Sequence, residues 1–428
     1  MAGAGQIKSV TNALSQSTYY AYDLLGRQIQ TWGETDYPQE YGYNAFGELS
    51  TLTTWRDAAD TIDFSTATWP APTAGTGDTT TWTYAPATGL LTRKEYADGN
   101  GTDYSYDSAN RLLVRTWARN GGLDTTYGSD AATGELLTVD YEDTATADIT
   151  YTCDRMGRQS TVSDATGTRS FDYSDTSLRL NRETLPSAFY GDVILERAYE
   201  NGTETNGLAG RPAGYLLGTS IDLDAYQSVE YAYTANGRFQ SVTDGTDSFN
   251  YSYETNSNLL ASITAPQHSV DYTYEPNRDV LIEVDNQVSG STISKYGYSY
   301  DALGRRDDRT QSGSEINTES TDDFIYNTRS EVTGSTNSVE TATVWNPTYS
   351  FDKIGNRESS TGSFAASYTA NELNQYTAID STNPVHDADG NLTSDGIWTY
   401  TWNNENRLAS ATNGTVTKIG RASCRERV

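Results

Sequence analysis

The chain of 428 residues is poor in the side chains that most often carry chemistry, with only two Cys, two His and two Met. Cys153 and Cys424 are too few to form a disulfide framework, so the sequence does not indicate a redox compartment. Neither His268 nor His386 lies in a context typical of a Ser-His-Asp triad. Glycine-rich segments such as 99–101 lack the Lys of a phosphate-binding loop. We therefore expect no enzymatic activity and no cofactor.

Basic charge and long apolar runs are also scarce. Lys and Arg number 29 against 58 Asp and Glu, which gives a formal net charge of −29. Because phosphate binding needs clustered basic residues, we expect no nucleic-acid partner. No apolar run reaches the roughly 18–20 residues of a membrane span, and the first residues lack the apolar core of a signal peptide. The acidity is typical of a solvated surface; an acidic shell that faces a basic partner is the alternative.

Tyrosine, by contrast, is abundant, with 32 Tyr beside 9 Phe and 8 Trp. Each Tyr combines an apolar ring with a hydroxyl that needs a hydrogen-bond partner. Open β-sheets provide sites where rings stack while hydroxyls stay paired or hydrated, and helical periodicity is scarce in the sequence. The composition therefore favours a β-protein with very little helix.

An eight-residue motif recurs along the chain and reads aromatic-x-aromatic-Asp-x-x-Gly-Arg. Neighbouring copies lie about 20–26 residues apart, which is typical of repeat proteins. Two copies match in full, and they consist of Tyr20, Tyr22, Asp23, Gly26 and Arg27, and of Tyr298, Tyr300, Asp301, Gly304 and Arg305. The looser copies comprise Tyr104, Tyr106, Asp107 and Arg111, then Tyr400, Trp402 and Arg407, and others that begin at Tyr41, Tyr231, Tyr251, Tyr272, Phe324 and Tyr349.

Each part of the motif has a structural interpretation. Two aromatic residues separated by one residue lie on the same face of a strand. Asp can accept hydrogen bonds from the backbone that follows it and so begin a turn, and Gly supplies a positive φ. One repeat is therefore a hairpin, and hairpins paired edge to edge form a twisted sheet. The predicted fold is all-β, with repetitive antiparallel hairpins that wind into a spiral sheet or open shell.

The sequence contains no linker that marks a domain boundary, so residues 1–417 are predicted to form one continuous repeat region. Irregular loop insertions are expected at about 54–81 and 187–218. Residues 418–428 resemble the in-frame translation of a common sequencing adapter, although a basic nucleic-acid tail or a redox role of Cys424 is the alternative. We expect a non-native tail there, and a natural chain that continues beyond residue 417.

The motifs together resemble the YD-repeat (RHS-repeat) family over residues 20–411. The most specific passages are 371–376, 387–396 and 398–408, which are similar to the segment ahead of the RHS core in family members. In bacterial polymorphic toxins, in C components of insecticidal toxin complexes and in extracellular teneurins, such repeats build a β-shell. The resemblance implies a secreted or cell-surface protein whose partner is a downstream toxin or effector domain of the same polypeptide. The family's Asp-Pro-x-Gly core motif and autoproteolytic carboxylate pair have no counterpart in this sequence.

Oxygen-bearing side chains near the end of the repeat region have a spacing compatible with Ca²⁺: Asp387, Asp389, Asn391 and Asp395. They do not follow the EF-hand pattern. The alternative is an ordinary repeat turn, in which Asp387 takes the place of the motif Asp and Gly390 that of the motif Gly. We expect the turn, and no bound metal.

Two further side-chain roles follow from the motif. Cys153 occupies the second aromatic position of one copy, which favours a packing role over a reactive thiol. An Arg closes several turns, and we expect it to pair with carboxylates of the repeat or to stack on rings. These residues are Arg27, Arg111, Arg158, Arg238, Arg305 and Arg407.

The sequence therefore predicts a structural shell segment that encloses or presents a toxin or effector encoded beyond this chain. One alternative is a cell-surface adhesion module that stacks aromatic side chains on a glycan partner. A second alternative is an autoproteolytic protein of the same family whose catalytic core lies outside this sequence. The adhesion alternative requires aromatic rings in solvent-facing rows, and the proteolytic one requires a close pair of carboxylates.

Overall fold

The protein is almost entirely β-structure. The computed structural model describes residues 5–56, 62–72, 77–191, 193–203 and 207–419. Helical structure within them is confined to one four-residue α-helix and two 3₁₀ turns. The helical elements are α1 (Ser187–Tyr190), Arg119–Gly121 and Gly362–Phe364.

Most of the chain forms one large sheet of 28 strands. Its first half comprises β1 (Ser9–Thr11), β2 (Ser17–Tyr22), β3 (Gln28–Gly33), β4 (Gln39–Tyr43), β5 (Leu49–Thr54), β6 (Asp78–Tyr84), β7 (Leu91–Glu95), β8 (Gly101–Tyr106), β9 (Leu112–Trp117), β10 (Leu123–Ser129), β11 (Leu136–Tyr141), β12 (Ile149–Cys153), β13 (Gln159–Asp164) and β14 (Gly167–Tyr173). Its second half comprises β15 (Leu180–Thr184), β16 (Ile194–Tyr199), β17 (Pro212–Gly218), β18 (Gln227–Tyr233), β19 (Phe239–Asp244), β20 (Asp247–Tyr253), β21 (Leu260–Thr264), β22 (His268–Tyr274), β23 (Leu281–Val288), β24 (Ser291–Tyr300), β25 (Arg306–Ser312), β26 (Ser320–Tyr326), β27 (Val332–Val339) and β28 (Ala342–Trp345).

Two shorter sheets follow and continue the same pattern. The first contains β29 (Tyr349–Phe351), β30 (Arg357–Ser360), β31 (Ala366–Ala370) and β32 (Tyr376–Ile379). The second contains β33 (Val385–His386), β34 (Leu392–Ser394), β35 (Thr399–Trp402), β36 (Leu408–Thr412) and β37 (Thr417–Ile419). A backbone bridge between Gly334 and Thr348 joins the end of the large sheet to the first short one.

Within each sheet, every strand pairs with the next strand along the chain, and all of these pairings are antiparallel. The described part of the chain is therefore a meander of hairpins, which confirms the predicted all-β hairpin repeat. The tail predicted at 418–428 begins within β37, and residues 420–428 lie outside the described residues.

A β-bulge recurs at the same place in the repeat, directly before the second aromatic residue. In the first hairpin it lies between Ala21 and Tyr22, and in later hairpins it lies between Ser105 and Tyr106 or between Thr401 and Trp402. A bulge bends its strand and increases the local right-handed twist. Because the bulge repeats in one position, the twist accumulates in one direction and the ribbon of hairpins coils.

Contacts between distant parts of the chain show that the ribbon coils back onto itself. The Tyr37 hydroxyl donates to Glu331 Oε1 at 3.0 Å, across 294 positions of sequence. Trp117 Nε1 likewise donates to the carbonyl oxygen of Asn404 at 2.8 Å, across 287 positions. One winding therefore takes about 290 residues, and the second winding lies against the first. This geometry confirms the spiral form of the predicted sheet.

The long insertion after β5 supplies the main apolar cluster among the described residues. Trp55 and Phe64 of this insertion are buried with Trp32 of β3, and Trp69 packs edge-on against Trp32 at a centroid distance of 5.5 Å. The insertion occupies 55–77, which is narrower than the predicted 54–81, because Asp78–Tyr84 forms β6. Residues 57–61 and 73–76 lie outside the described residues.

The second predicted insertion is also narrower than the sequence indicated. Within 187–218 the chain forms α1 and the strands β16 and β17, which pair with each other over six positions. Among the described residues of this range, irregular backbone is restricted to 191, 193, 200–203 and 207–211, and residues 192 and 204–206 lie outside the described residues. These strands lack the two-aromatic motif, so their own side chains did not reveal them.

Candidate functional site: the repeat turn and the winding seam

The Asp of the motif organises a five-residue turn, which we call the motif turn. In the first copy, Asp23 Oδ1 accepts the backbone N–H groups of Leu25 and Arg27, each at 2.9 Å. Eleven turns among the described residues share this arrangement, with Asp or Asn as the first residue accepting the N–H of the third and fifth residues. Their first residues are Asn12, Asp23, Asn44, Asp107, Asp154, Asp301, Asn327, Asp352, Asn371, Asp387 and Asn403.

The fourth residue of each motif turn has a positive φ, which explains the Gly of the motif. Gly304 has φ +78°, and where Gly is replaced the residue is Asn or Ser, as at Asn110 with φ +64° and Ser330 with φ +65°. Asn tolerates the left-handed region better than most residues do. The looser copies of the motif therefore keep the same backbone.

The first and fifth residues of the motif turn form complementary pairs. Where the first residue is Asp, the fifth is Arg in four turns, as in the pair of Arg27 Nε and Asp23 Oδ2 at 2.7 Å. Where the first residue is Asn and the fifth is Glu or Gln, the donor and acceptor exchange places, as they do in four turns; after Asn403 the fifth residue is the exposed Arg407. Asn44 Nδ2, for example, donates to Glu48 Oε2 at 2.6 Å. The turn thus preserves a donor–acceptor pair rather than a fixed pair of residue types.

These contacts stabilise the charged form of the motif Asp. The backbone N–H and the guanidinium of Arg111 hold the pKa of Asp107 below its ordinary value. The side chain of Arg158 similarly lowers the pKa of Asp154. Hydrogen bonds to an ionised carboxylate favour that ionised form. The turn is therefore strongest with its carboxylate deprotonated.

In most copies of the motif, the second aromatic residue donates a hydrogen bond to the segment before its own hairpin. The Tyr106 hydroxyl donates to the carbonyl oxygen of Leu91 at 2.9 Å, and Trp402 Nε1 donates to the carbonyl oxygen of Leu392 at 2.7 Å. Burial raises the pKa of Tyr106. The Tyr residues that make the same contact are Tyr22, Tyr43, Tyr84, Tyr106, Tyr173, Tyr199, Tyr233, Tyr253, Tyr300 and Tyr326.

The Arg that ends a motif turn lies over the aromatic ring of the next hairpin. Arg27 lies 4.5 Å from the ring centroid of Tyr43, and Arg158 lies 4.2 Å from that of Tyr173. Arg238 and Arg305 make equivalent contacts. Such contacts contribute about 0.5–1 kcal/mol each at partly exposed sites. Two of the arginines named from the motif differ. Arg111 donates to the carbonyl oxygen of Asp130 at 2.8 Å, since the next hairpin has Ser129 in place of an aromatic residue, and Arg407 follows Asn403 and has an exposed side chain.

Several hairpins lack a Tyr or Trp at this position. Ser129 and Cys153 occupy it in two neighbouring hairpins, and Phe351, Ala370 and His386 occupy it in later ones. The carbonyl group that a residue at position 153 would address belongs to Leu136, whose side chain is exposed. Burial raises the pKa of the Cys153 thiol, which does not favour the thiolate. The placement of Cys153 agrees with a packing position.

The two windings meet along a seam between different edges of the ribbon. We call the edge that carries the motif turns the turn edge, and the edge that carries the other connections the loop edge. In the seam, the turn edge of the second winding lies against the loop edge of the first. The motif turns involved are 327–331, 352–356, 371–375, 387–391 and 403–407, and the facing segments of the first winding lie at 37, 56, 115–124 and 146.

A buried ion pair lies in this seam. Arg119 is 5% exposed and the side chain of Asp389 is 1% exposed, with 3.3 Å between Arg119 Nε and Asp389 Oδ2. Asp389 Oδ1 accepts the N–H of Ala118 at 2.7 Å, and the Arg119 guanidinium donates to Asn406 Oδ1 and to the Asn403 carbonyl oxygen. Burial raises the pKa of Asp389, against the opposing effects of its N–H donors and of Arg119.

A second group of seam contacts surrounds the turn 403–407. Arg115 lies 2.8 Å from Glu405 Oε1, and the buried Asn404 donates from its backbone N to Thr146 Oγ1 at 2.8 Å. The Asn404 side-chain amide donates to the carbonyl oxygen of Asp124 at 2.9 Å. The sequence predicted neither group, because each joins residues of a motif turn to residues at or near a loop of the other winding, far away along the chain.

The four residues considered for Ca²⁺ have defined places in this geometry. Asp387 Oδ1 accepts the N–H of Asp389 and Asn391, as the first residue of an ordinary motif turn does. Asp389 faces Arg119, and Asp395 Oδ1 caps the loop at Trp398. Across the described residues, no group of three or more His, Cys, Asp or Glu side chains is arranged to hold a metal ion.

Other candidate side chains are dispersed. His268 is exposed at the start of β22, and His386 lies in β33, where burial lowers its pKa. Asp308 and Asp323 are register partners on β25 and β26, and the hydrogen bond between the two carboxyls raises the pKa of Asp323. The Ser299 hydroxyl also donates to Asp308, at 2.8 Å. Sequence reasoning did not nominate this carboxylate pair, since only the hairpin register brings it together.

No helix among the described residues has the length and apolar character needed to cross a membrane.

No protein-family model and no curated protein sequence matches the chain. Among solved structures, the chain is similar to the TcdB2-TccC3-Cdc42 complex with 16% identity and a TM-score of 0.47, covering 95% of this chain and 25% of that one. It is also similar to TcdB2-TccC3 without its hypervariable C-terminal region, with 15% identity and a TM-score of 0.48, covering 96% of this chain and 25% of that one. The chain thus spans about a quarter of the length of these structures.

Proposed function

We propose that this chain is a structural segment of a YD-repeat shell that encloses or presents a toxin or effector domain continuing from the same polypeptide. The observation that carries the proposal is the seam: a ribbon whose second winding packs laterally on its first forms a wall. The proposal assigns the chain no catalytic role, and it places the protein outside the cell or at its surface.

The chemistry of the repeat supports a role as a wall. Neighbouring hairpins of a sheet are joined by a backbone ladder, and many are joined in addition by a Tyr hydroxyl that donates to a carbonyl oxygen or by an Arg that lies over a ring. In repeat proteins, stability is roughly a sum of such nearest-neighbour contacts, so length can grow without a deep central core. The net charge of −29 keeps the large surface soluble.

The two alternatives receive less support. The adhesion alternative needs free aromatic faces, whereas guanidinium groups lie over the rings of Tyr43, Tyr173 and Tyr253. The proteolytic alternative needs a carboxylate pair free to act on a peptide. Asp308 and Asp323 instead belong to a network that links β24, β25 and β26 through Ser299 and through the ion pair of Arg309 with Asp322.

A protease-protection experiment tests the shell proposal. The natural gene, read beyond residue 417, is expressed with its C-terminal domain, and the rate at which a protease cleaves that domain is measured. We expect slow cleavage in the unmodified protein and at least about tenfold faster cleavage when Asp389→Ala opens the seam, because local opening then exposes the contents. Arg278→Ala, which removes an exposed pair with Glu275 outside the seam, is the matched control. Equal cleavage rates in all three proteins would refute the enclosure.

A further inference from the structure

One face of the large sheet carries the aromatic residues of the motif, and we call it the tyrosine face. In the even-numbered strands from β2 to β26, the first aromatic position of the motif holds Tyr, Trp or Phe, with a single exception. In β16 this position holds Arg197, two residues before Tyr199. Because residues two apart in a strand lie on the same face, Arg197 places a guanidinium among the tyrosine rings.

The charge of Arg197 is only partly compensated. Glu183 of β15 is 8% exposed and lies between two guanidinium groups, with its Oε2 3.0 Å from Nη2 of Arg197 and its Oε1 3.3 Å from Nη1 of Arg169. Two cations thus face one carboxylate. Nη1 of Arg197 is also buried and has no hydrogen-bond partner among the described residues. Because an unpaired buried donor on a charged group is costly, this position favours an anionic acceptor.

A cavity of about 550 Å³ lies beside Arg197 and is formed by β16, β17 and β18. Tyr215 of β17 is the register partner of Arg197, and Tyr231 lies on the next strand, two residues after the register partner of Tyr215. Leucine side chains of β16 and β17 complete the apolar part of the lining, and Arg197 is the one charged residue among the described residues that line the cavity. Mostly apolar cavities of this size with a few polar groups are typical of small-molecule sites.

The other polar groups of the lining already have partners. Gln227 accepts the Tyr215 hydroxyl at 3.2 Å through Oε1, and its Nε2 donates to Asp244 at 3.3 Å. The Tyr199 hydroxyl donates to the carbonyl oxygen of Leu180 at 2.9 Å. The cavity therefore has few groups left to pair with the many hydroxyls of a sugar. It combines one cation with tyrosine rings and leucine side chains.

We propose that this cavity binds a small aromatic carboxylate, with the carboxylate on Arg197 and the ring among Tyr199, Tyr215 and Tyr231. A carboxylate matches a guanidinium in charge and in hydrogen-bonding geometry, and aromatic rings pack favourably on one another. A phosphate dianion fits less well, because one guanidinium that is shared with Glu183 would face two negative charges in a mainly apolar cavity. The site is formed by three consecutive strands of the first winding and does not depend on the shell proposal.

Isothermal titration calorimetry of the full chain with phenylacetate tests the proposal. A ligand of this size in a fitting cavity should bind with a Kd of about 1 mM or tighter. Phenylacetamide has the same ring without the charge, so its affinity should be at least about tenfold lower, because it lacks the charge-assisted hydrogen bond. Acetate supplies the charge without the ring and should show no binding up to about 20 mM.

Three variants assign the effect to individual side chains. Arg197→Met should remove the preference for the carboxylate, so that phenylacetate and phenylacetamide bind with equal, low affinity. Tyr215→Ala should weaken the binding of both compounds. Arg182→Met is the matched control, because Arg182 lies on the neighbouring strand and forms its 2.6 Å ion pair with Glu196 on the opposite face of the sheet. This control should bind both compounds as the unmodified chain does.

The comparison of the two phenyl compounds on the unmodified chain requires no substitution and gives the decisive result. Equal affinities would overturn the proposal, and so would the absence of phenylacetate binding up to about 20 mM. Loss of the carboxylate preference in the Arg182→Met control would attribute it to general charge rather than to Arg197, which would also overturn the proposal. Tighter binding of glucuronate than of phenylacetate would indicate an acidic-sugar site and overturn the aromatic assignment. Circular dichroism verifies that each variant keeps its β-structure.

Discussion

At the residue scale, the motif turn depends on a hydrogen-bonded pair between its first and fifth residues. Either residue of the pair can be the donor, provided that the other is an acceptor. Asp107 pairs with Arg111, while Asn44 donates to Glu48 in the same two positions of another turn. The Asn in that turn still accepts both backbone N–H groups through Oδ1. The identity of the first residue therefore matters less than its match to the fifth.

This exchange predicts the outcome of a double-mutant cycle. Asp107→Asn alone places an amide opposite Arg111, and Arg111→Glu alone places a carboxylate opposite Asp107, so each should lower the urea midpoint. The double variant Asp107→Asn/Arg111→Glu recreates the pair of Asn44 and Glu48 and should recover most of the loss. Additive losses would contradict a complementary pair, since coupled neighbours are expected to be non-additive. Ser108→Ala, at an exposed position of the same turn, is the control.

The motif carboxylates also predict how stability depends on pH. Arg111 lowers the pKa of Asp107, and Arg158 lowers that of Asp154. A lowered folded-state pKa contributes stability above the ordinary carboxyl pKa of about 3.9, and this contribution is lost as the pH falls through the folded-state value. The urea midpoint should therefore decline as the pH falls below about 4. A midpoint that rises over this interval would contradict the prediction.

Position 153 holds Cys where many other hairpins have an aromatic residue, so an aromatic substitution there should stabilise the protein. Cys153→Tyr should place a hydroxyl near the carbonyl oxygen of Leu136 and a ring over the exposed Leu136 side chain. A net hydrogen bond contributes about 1 kcal/mol, and the added apolar burial acts in the same direction. The free energy of unfolding, measured in urea, should rise by about 1–2 kcal/mol. Cys153→Phe supplies the ring without the hydroxyl, and equal gains in both variants would exclude the hydrogen bond.

At the element scale, a hairpin is defined by its bulge and its positive-φ residue. A Cβ at Gly304 would meet no heavy atom within 4 Å, so Gly304→Ala tests backbone conformation alone. We expect a cost of about 1 kcal/mol in the free energy of unfolding. Gly101 provides the contrast, because its Cβ would lie 2.2 Å from the carbonyl oxygen of Lys94 and Ala should cost considerably more there. If Gly304→Ala left the free energy of unfolding unchanged, the positive φ of the turn would not be what requires glycine there.

The same scale explains which hairpins the sequence revealed. Wherever two aromatics precede Asp or Asn, as at Tyr20 or Tyr298, both the strand and its turn followed from the motif. Strands β16 and β17 have no such pattern, and they form because neighbouring strands offer unpaired backbone groups along their whole length. Strand formation depends strongly on such cross-strand context. The sequence therefore predicted the repeat but placed the irregular stretches too widely.

At the scale of the whole molecule, the sequence could not predict which residues of the two windings meet in the seam. The number of residues in one winding depends on twist accumulated over many hairpins, and small differences in twist decide which loop meets which turn. Asp389 illustrates the consequence. Its spacing from Asp387 and Asn391 suggested a cation ligand, whereas the winding brings it to Arg119 across 270 positions of sequence.

The buried pair of Arg119 and Asp389 gives the most demanding prediction for the folded chain. Removing one partner leaves the other charge buried without compensation, which typically costs about 3–5 kcal/mol. Asp389→Ala should therefore abolish hydrogen-exchange protection on both sides of the seam, at 115–124 and at 387–406, while hairpins distant from the seam, such as 247–264, keep theirs. The double variant Arg119→Met/Asp389→Leu replaces both charges with apolar groups and should restore much of that protection, because a buried ion pair can often be exchanged for apolar packing at little cost. If Asp389→Ala weakened protection uniformly along the chain, the two windings would unfold as one unit. The contacts between the windings would then not open separately from the rest of the ribbon.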